Sequence, residues 1–143
     1  MKYLYIPALL LAATAAAAAD DANLRVVATN VVADQGTLYV WVYDKKDDWL
    51  SDRYRTRKSV KVAGHRSDDR VTVELLLPAG EYALSVFQDV DDNGKLERNF
   101  LGIPKEPAGL SNNLRPKFGP PKYKDAAFAV AVGTVTEQKI ELR

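Results

Sequence analysis

The segment Asp89-Val90-Asp91-Asp92-Asn93-Gly94-Lys95-Leu96 sets oxygen-bearing side chains at alternate positions, Asp89, Asp91 and Asn93, then a glycine and an apolar anchor. Oxygen donors at that spacing are what a hard cation takes up in a calcium loop, and the glycine permits the sharp turn. The reading assigns calcium to the side chains of Asp89, Asp91 and Asn93 and to the carbonyl of Lys95. The set is incomplete. Where a calcium hand closes its shell with a bidentate glutamate this chain has Phe100, and a strand rather than a helix leads in. A true helix–loop–helix hand is therefore excluded. The remaining oxygens must come from Glu97, Asn99, Glu106 or Asp125, and so few charged ligands imply an affinity of about 10⁻⁴ to 10⁻³ M. The same residues also fit a metal-free turn, with Asp89 and Asp91 accepting backbone N–H bonds and Asn93-Gly94 in the left-handed conformation.

Other chemistry has little to work with. The chain has no cysteine, which excludes disulfides, thiolate catalysis, cysteine-ligated zinc and an N-terminal lipid anchor on cysteine. His65 is the only histidine and sits in the polar, turn-rich Gly64-His65-Arg66-Ser67-Asp68-Asp69, where it reads as a solvated turn residue. The serines lack a nucleophile-elbow motif. A hydrolase of glycans or envelope polymers would have to use Glu97, Glu106 and Asp89. The preferred reading is a non-catalytic binding module. Its ligand would meet the 89–121 loop, through Phe100, Asn112 and Asn113, and the aromatic row Tyr39, Trp41 and Tyr43. On a sheet such a row can stack on sugars or other planar ligands; on a strand buried on both faces it fills the core or lies under a neighbouring turn. Arg53, Arg55, Arg57 and Lys58 form a basic cluster offset by Asp47, Asp48 and Asp52. It reads as a solvated connection, or as a site for an acidic glycan or phospholipid surface.

These residues need a scaffold. Lys2, the apolar run Leu4 to Ala13 and the alanines before Asp20 read as an export signal over residues 1–19, too short for a spanning helix of ~20 residues. Cleavage would leave residues 20–143 as one domain, periplasmic or secreted, with no transmembrane segment. Only Lys2 among the charged residues precedes Asp20, so that domain has 20 − 1 = 19 basic and 19 acidic residues. Zero net charge argues against nucleic acid as partner. A small molecule, a glycan or an envelope protein fits better.

Period-two alternation of apolar residues predicts strands at 24–32, 37–44, 60–62, 71–77, 82–87, 128–132 and 135–142. About seven strands without repeated helices predict an all-β fold, a single antiparallel β-sandwich. A helical turn is expected within 47–54, and the 89–121 connection reads as one long structured loop.

Residues 77–89, from Leu77-Pro78-Ala79-Gly80-Glu81-Tyr82 to Gln88-Asp89, together with Asn93-Gly94-Lys95-Leu96, Asn99 to Pro107, Gly109 to Asn113, Phe118-Gly119-Pro120-Pro121 and Asp125-Ala126, resemble the bacterial domain of unknown function numbered 2141. This is a family of small exported proteins. The resemblance covers the mature chain loosely and residues 77–128 closely. It implies a sandwich like transthyretin or the carboxypeptidase regulatory domain, and it singles out the loop without supplying an activity. Family members often carry a histidine where this chain has Gln88, and tend to carry an aromatic residue where it has Leu110.

Overall fold

The computed structural model describes residues 21–94 and 106–143. The expected leader, Lys95, Glu97, Asn99 and Phe100 lie outside the described residues. Among those described are nine strands: β1 (Leu24–Thr29), β2 (Thr37–Tyr43), β3 (Thr56–Lys61), β4 (Arg66–Ser67), β5 (Arg70–Leu75), β6 (Gly80–Asp89), β7 (Ala108–Leu110), β8 (Phe128–Val130) and β9 (Thr136–Glu141), with one short helix, α1 (Tyr123–Ala126). They form two sheets, one ordered β4-β5-β1-β9 and the other β3-β2-β6-β7, with β8 also paired to β6. The protein is all-β.

The alternation seen in the sequence is what brings the sheets together. Leu24, Val26 and Ala28 of β1, Val71, Val73 and Leu75 of β5, and Ile140 of β9 turn inward from the first sheet. They share one core with Leu38, Val40 and Val42 of β2 and Leu84 and Val86 of β6 from the second. Each such valine, leucine or isoleucine contributes about 1.5–3 kcal/mol on leaving water. Asn23, buried at the edge of this core, pins it: its side chain donates to Leu77 O (2.7 Å) and accepts from Leu77 N (2.9 Å).

Four expectations need correction. The sheets are not wholly antiparallel, because β1 pairs antiparallel with β5 but parallel with β9, from Leu24 opposite Thr136 to Thr29 opposite Glu141. The third strand runs earlier and longer than 60–62, since backbone pairing with β2 sets its extent although most of its side chains are exposed. The helical turn within 47–54 shrinks to a 3-10 turn at Lys46–Asp48. The 89–121 connection is not without a strand: β7 pairs with β6, and a 3-10 turn at Ser111–Asn113 follows it.

Strand β6 is buried from Tyr82 to Asp89 on both faces. One face meets the other sheet. The other face is roofed by Trp49, Tyr54, Leu114, Tyr123, Ala126 and Ala127, which enclose Tyr43 and Ala83 in a second apolar layer.

Candidate functional site

Strand pairing builds an acidic cluster at the end of β6. β7 runs antiparallel to β6 with Ser85 opposite Leu110, Val86 opposite Gly109 and Phe87 opposite Ala108. The backbone continues in that sense, Gln88 N donating to Pro107 O at 2.9 Å. Two more steps of the register set Asp89 opposite Glu106. On its other side β6 pairs with β2, and Asp89 lies opposite Thr37. Gly36 stands just before Thr37, so close that a Cβ there would lie 1.9 Å from Asp89 O. Glycine is the side-chain-free solution to that approach, and its φ of +74° is one that glycine adopts freely.

Carboxylate oxygens of Asp89, Asp91 and Glu106 all lie within 4.8 Å of one another. Asp89 has no exposed surface and Glu106 is buried, while Asp91 is exposed. Like charges facing each other across a ladder are destabilising, and burial sharpens the repulsion. Burial and then hydrogen bonding and repulsion from Asp91 push the Asp89 carboxyl above its ordinary 3.8, against the lowering effect of the Gly94 and Asn93 N–H groups. Such a cluster is relieved by a proton or by a cation. The donors are all oxygens, which suits a hard divalent ion.

The turn after Asp89 is also held by hydrogen bonds. Gly94 N donates to Asp89 Oδ2 (2.6 Å) and Asn93 N to Asp89 Oδ1 (3.2 Å) and Asp91 Oδ1 (3.3 Å). Asn93 Nδ2 donates to Asp91 Oδ2 at 3.2 Å. The hydrogen-bonded turn expected for this segment is thus present, and the oxygens that accept these N–H groups keep further lone pairs. The left-handed residues are Asp92 (φ 56°) and Gly94 (φ 77°), not the Asn93-Gly94 pair. Asp92 itself faces away from the cluster, taking the Thr37 hydroxyl at 2.6 Å and Lys61 Nζ at 3.3 Å, and the Thr37 bond first of all holds its carboxyl below the ordinary range. Of the further oxygen donors named from sequence, Glu106 and Asp125 are among the described residues, and Glu106 joins the cluster.

The aromatic row lies mostly inside. Tyr43 has no exposed surface; its hydroxyl donates to Ser51 O (2.7 Å) and its ring meets Trp49 edge-on. Trp41 is half-buried between Tyr54 and Phe87. Tyr39 stacks on Phe87 at 5.1 Å between ring centroids, and Arg57 lies near both the Tyr39 and Tyr54 rings. Tyr39 and Trp41 keep part of their surface, whereas Tyr43 cannot meet a ligand without movement of the roof.

Asn112 and Asn113 are spent on the fold. Asn112 Nδ2 donates to Ala127 O (2.9 Å) and Asp125 O (3.1 Å), and its Oδ1 accepts from Gln138 Nε2 (3.1 Å). Asn113 Oδ1 accepts from Glu141 N at 3.0 Å. Both have positive φ, a conformation asparagine tolerates. They fasten the segment after β7 to α1 and β9. Gln88 is fully buried and bridges β6 to the 32–35 turn: Nε2 donates to Val32 O (2.6 Å) and Gln35 O (2.9 Å), and Oε1 accepts from Val32 N (2.8 Å). The sequence carries no signal for this role, because the apolar alternation stops at Phe87 and Gln88 falls just past it.

Elsewhere, His65 is exposed with Nδ1 2.7 Å from Lys61 O. Two of the four residues of the basic cluster are ion-paired, Arg53 with Asp48 and Arg55 with Asp44, while Arg57 lies over the tyrosine rings and Lys58 Nζ donates to Glu74 O. No helix among the described residues is long and apolar enough to cross a membrane.

Two sheets around one core, with buried carboxylates where β6 meets the segment entering β7, define a β-domain bearing an acidic, oxygen-only site. The sequence matches, over residues 26–138, the family described as an uncharacterized protein conserved in bacteria, domain of unknown function 2141. The chain belongs to that family. No curated protein and no solved structure matches it.

Proposed function

We propose that the protein is an exported, non-catalytic binding module, its fold a sandwich of the transthyretin type, and that Asp89, Asp91 and Glu106 hold a calcium ion. The observation that carries this reading is the convergence of three carboxylate oxygens to within 4.8 Å, two of the residues buried. An ion there neutralises the repulsion and ties the end of β6 to the strand it pairs with. The ion's role is then structural: it joins the turn after Asp89 to the segment that enters β7. The binding role is preferred to a glycan hydrolase because Asp89, one of the carboxylates such an enzyme would need, is shut away from any polymer and accepts two backbone N–H groups. A general acid or base must reach the proton it transfers.

Isothermal titration of chelator-treated protein with millimolar calcium is the test. Saturable heat with a dissociation constant of about 10⁻⁴ to 10⁻³ M is expected, lost in Glu106→Gln. Absence of heat would leave only the hydrogen-bonded turn.

A further inference from the structure

A second surface lies apart from the acidic cluster. From the turn after β7 into α1 the chain runs Leu114-Arg115-Pro116-Lys117-Phe118-Gly119-Pro120-Pro121-Lys122-Tyr123-Lys124, with four basic residues and no acidic one. Arg115 spends its charge on Glu141 at 3.1 Å. Lys117, Lys122 and Lys124 have no carboxylate partner among the described residues. Phe118 stands between them in the chain with 93% of its surface exposed, the most exposed of the large apolar side chains among the described residues. A single exposed apolar residue is ordinary on a protein surface. A phenyl ring on an exposed loop, with lysines before and after it in the chain that have no carboxylate partner among the described residues, is a more specific combination.

The tip is held out from below. Trp49 Nε1 donates to Pro121 O (3.1 Å), Leu114 N to Ser111 O (3.2 Å) and Asp125 N to Lys122 O (3.1 Å). Three prolines restrict the backbone, and Gly119 takes φ +69° next to the ring. Behind the tip is a cleft of about 300 Å³ lined by Leu114, Lys117, Phe118, Pro121 and Lys122, with Asp125 the one acidic residue on its wall.

We propose that this loop is a membrane-surface anchor: Phe118 enters the interface of an anionic bilayer while Lys117, Lys122 and Lys124 lie against its phosphate headgroups. Aromatic insertion with flanking lysines is how interfacial segments combine apolar burial and headgroup attraction. A bilayer fits better than an acidic protein because the Phe118 ring offers nearly its whole surface beside lysines that no carboxylate among the described residues neutralises. A fluid interface admits such a ring anywhere, whereas a folded partner must offer it a matching pocket. The basic cluster of residues 53–58, by contrast, has its charges largely engaged within the protein.

The absence of cysteine allows a site-specific test on the full chain. Pro120→Cys places an environment-sensitive dye beside Phe118, and Val132→Cys, at another exposed apolar position, serves as control. Vesicles of phosphatidylcholine with about one third phosphatidylglycerol should shift the dye at 120, reversibly with salt, while pure phosphatidylcholine should not. Replacing Lys117, Lys122 and Lys124 together by glutamine should weaken the response about a hundredfold, each basic residue beside an anionic surface being worth about fivefold. Phe118→Ala should weaken it about tenfold without touching the core. An unresponsive dye at 120 overturns the proposal, as does an equal response at 132. An equal response at 120 to soluble polyglutamate would make the partner an acidic macromolecule and overturn the membrane reading.

Discussion

Replacing Glu106 by glutamine should stabilise the protein without calcium and destabilise it, relative to the natural chain, with calcium. Glu106 and Asp89 are both buried and their oxygens are no more than 4.8 Å apart. At that distance two negative charges repel by about 1 kcal/mol in water and about 3 kcal/mol at an effective dielectric of ~20. Glutamine keeps the shape and removes the charge, so the metal-free variant should gain about 1–3 kcal/mol at neutral pH. A domain of this size converts that to a rise in Tm of roughly 3–10 °C. Calcium acts in the opposite sense. At 10 mM, about 10 to 100 times the expected dissociation constant, it should stabilise the natural chain by about 1.4–2.7 kcal/mol and leave the variant unmoved. Scanning calorimetry of both proteins at pH 7, with chelator and with calcium, reads the crossing. Two results would refute the reasoning: a natural chain whose Tm ignores calcium, or a variant less stable than it under both conditions. The second would make Glu106 a structural acceptor and nothing more.

Three further outcomes follow from the geometry. Because the folded Asp89 carboxyl titrates above its ordinary 3.8, the folded state binds the proton more tightly than the unfolded one; in chelator this contribution to stability is fully present below 3.8 and is lost as pH rises through the raised value. Urea midpoints across that window should show the decline, and Asp91→Asn should flatten it. Gly36→Ala forces a Cβ onto Asp89 O and strains a left-handed backbone, so a loss of about 2–4 kcal/mol is expected by urea denaturation. Gln88→Ala should cost about 2–4 kcal/mol, since it opens a cavity and strands the three backbone groups of Val32 and Gln35 that it bonds; protease cleavage within 32–36 should accelerate with it.

Strands that bury one side chain in two announced themselves in the sequence, as Val71, Val73 and Leu75 do in β5. Strand β3 did so only in part, because Arg57, Lys58 and Ser59 are exposed and it is held through its backbone. β4 and β7, of two and three residues, are too short to carry a period. The parallel partnership of β1 and β9 has no local signature at all: alternation says which face is apolar, not which strand lies alongside or in which direction. The acidic site divides in the same way. Asp89 and Asp91 were legible from their spacing. Glu106 was one oxygen donor among several, since its approach to Asp89 depends on the β6–β7 register. The row of Tyr39, Trp41 and Tyr43 showed that both faces of β2 are apolar, but the roof over it comes from Trp49 and from residues after 113, distant in the chain.

The parallel pairing of β1 with β9 also sets an order of assembly. β1 is an interior strand of its sheet, yet one of its two neighbours is the last strand described, more than a hundred residues further on. β2, β3 and β6 can pair while that strand is still missing; β1 can then have only β5. Closing so wide a loop is entropically slow and its reward arrives late. During synthesis one edge of β1, with its row of backbone N–H and C=O groups, therefore stays open until Thr136–Glu141 has emerged. In that interval the nascent chain is exposed to strand exchange with its neighbours, and the arrival of β9 ends it.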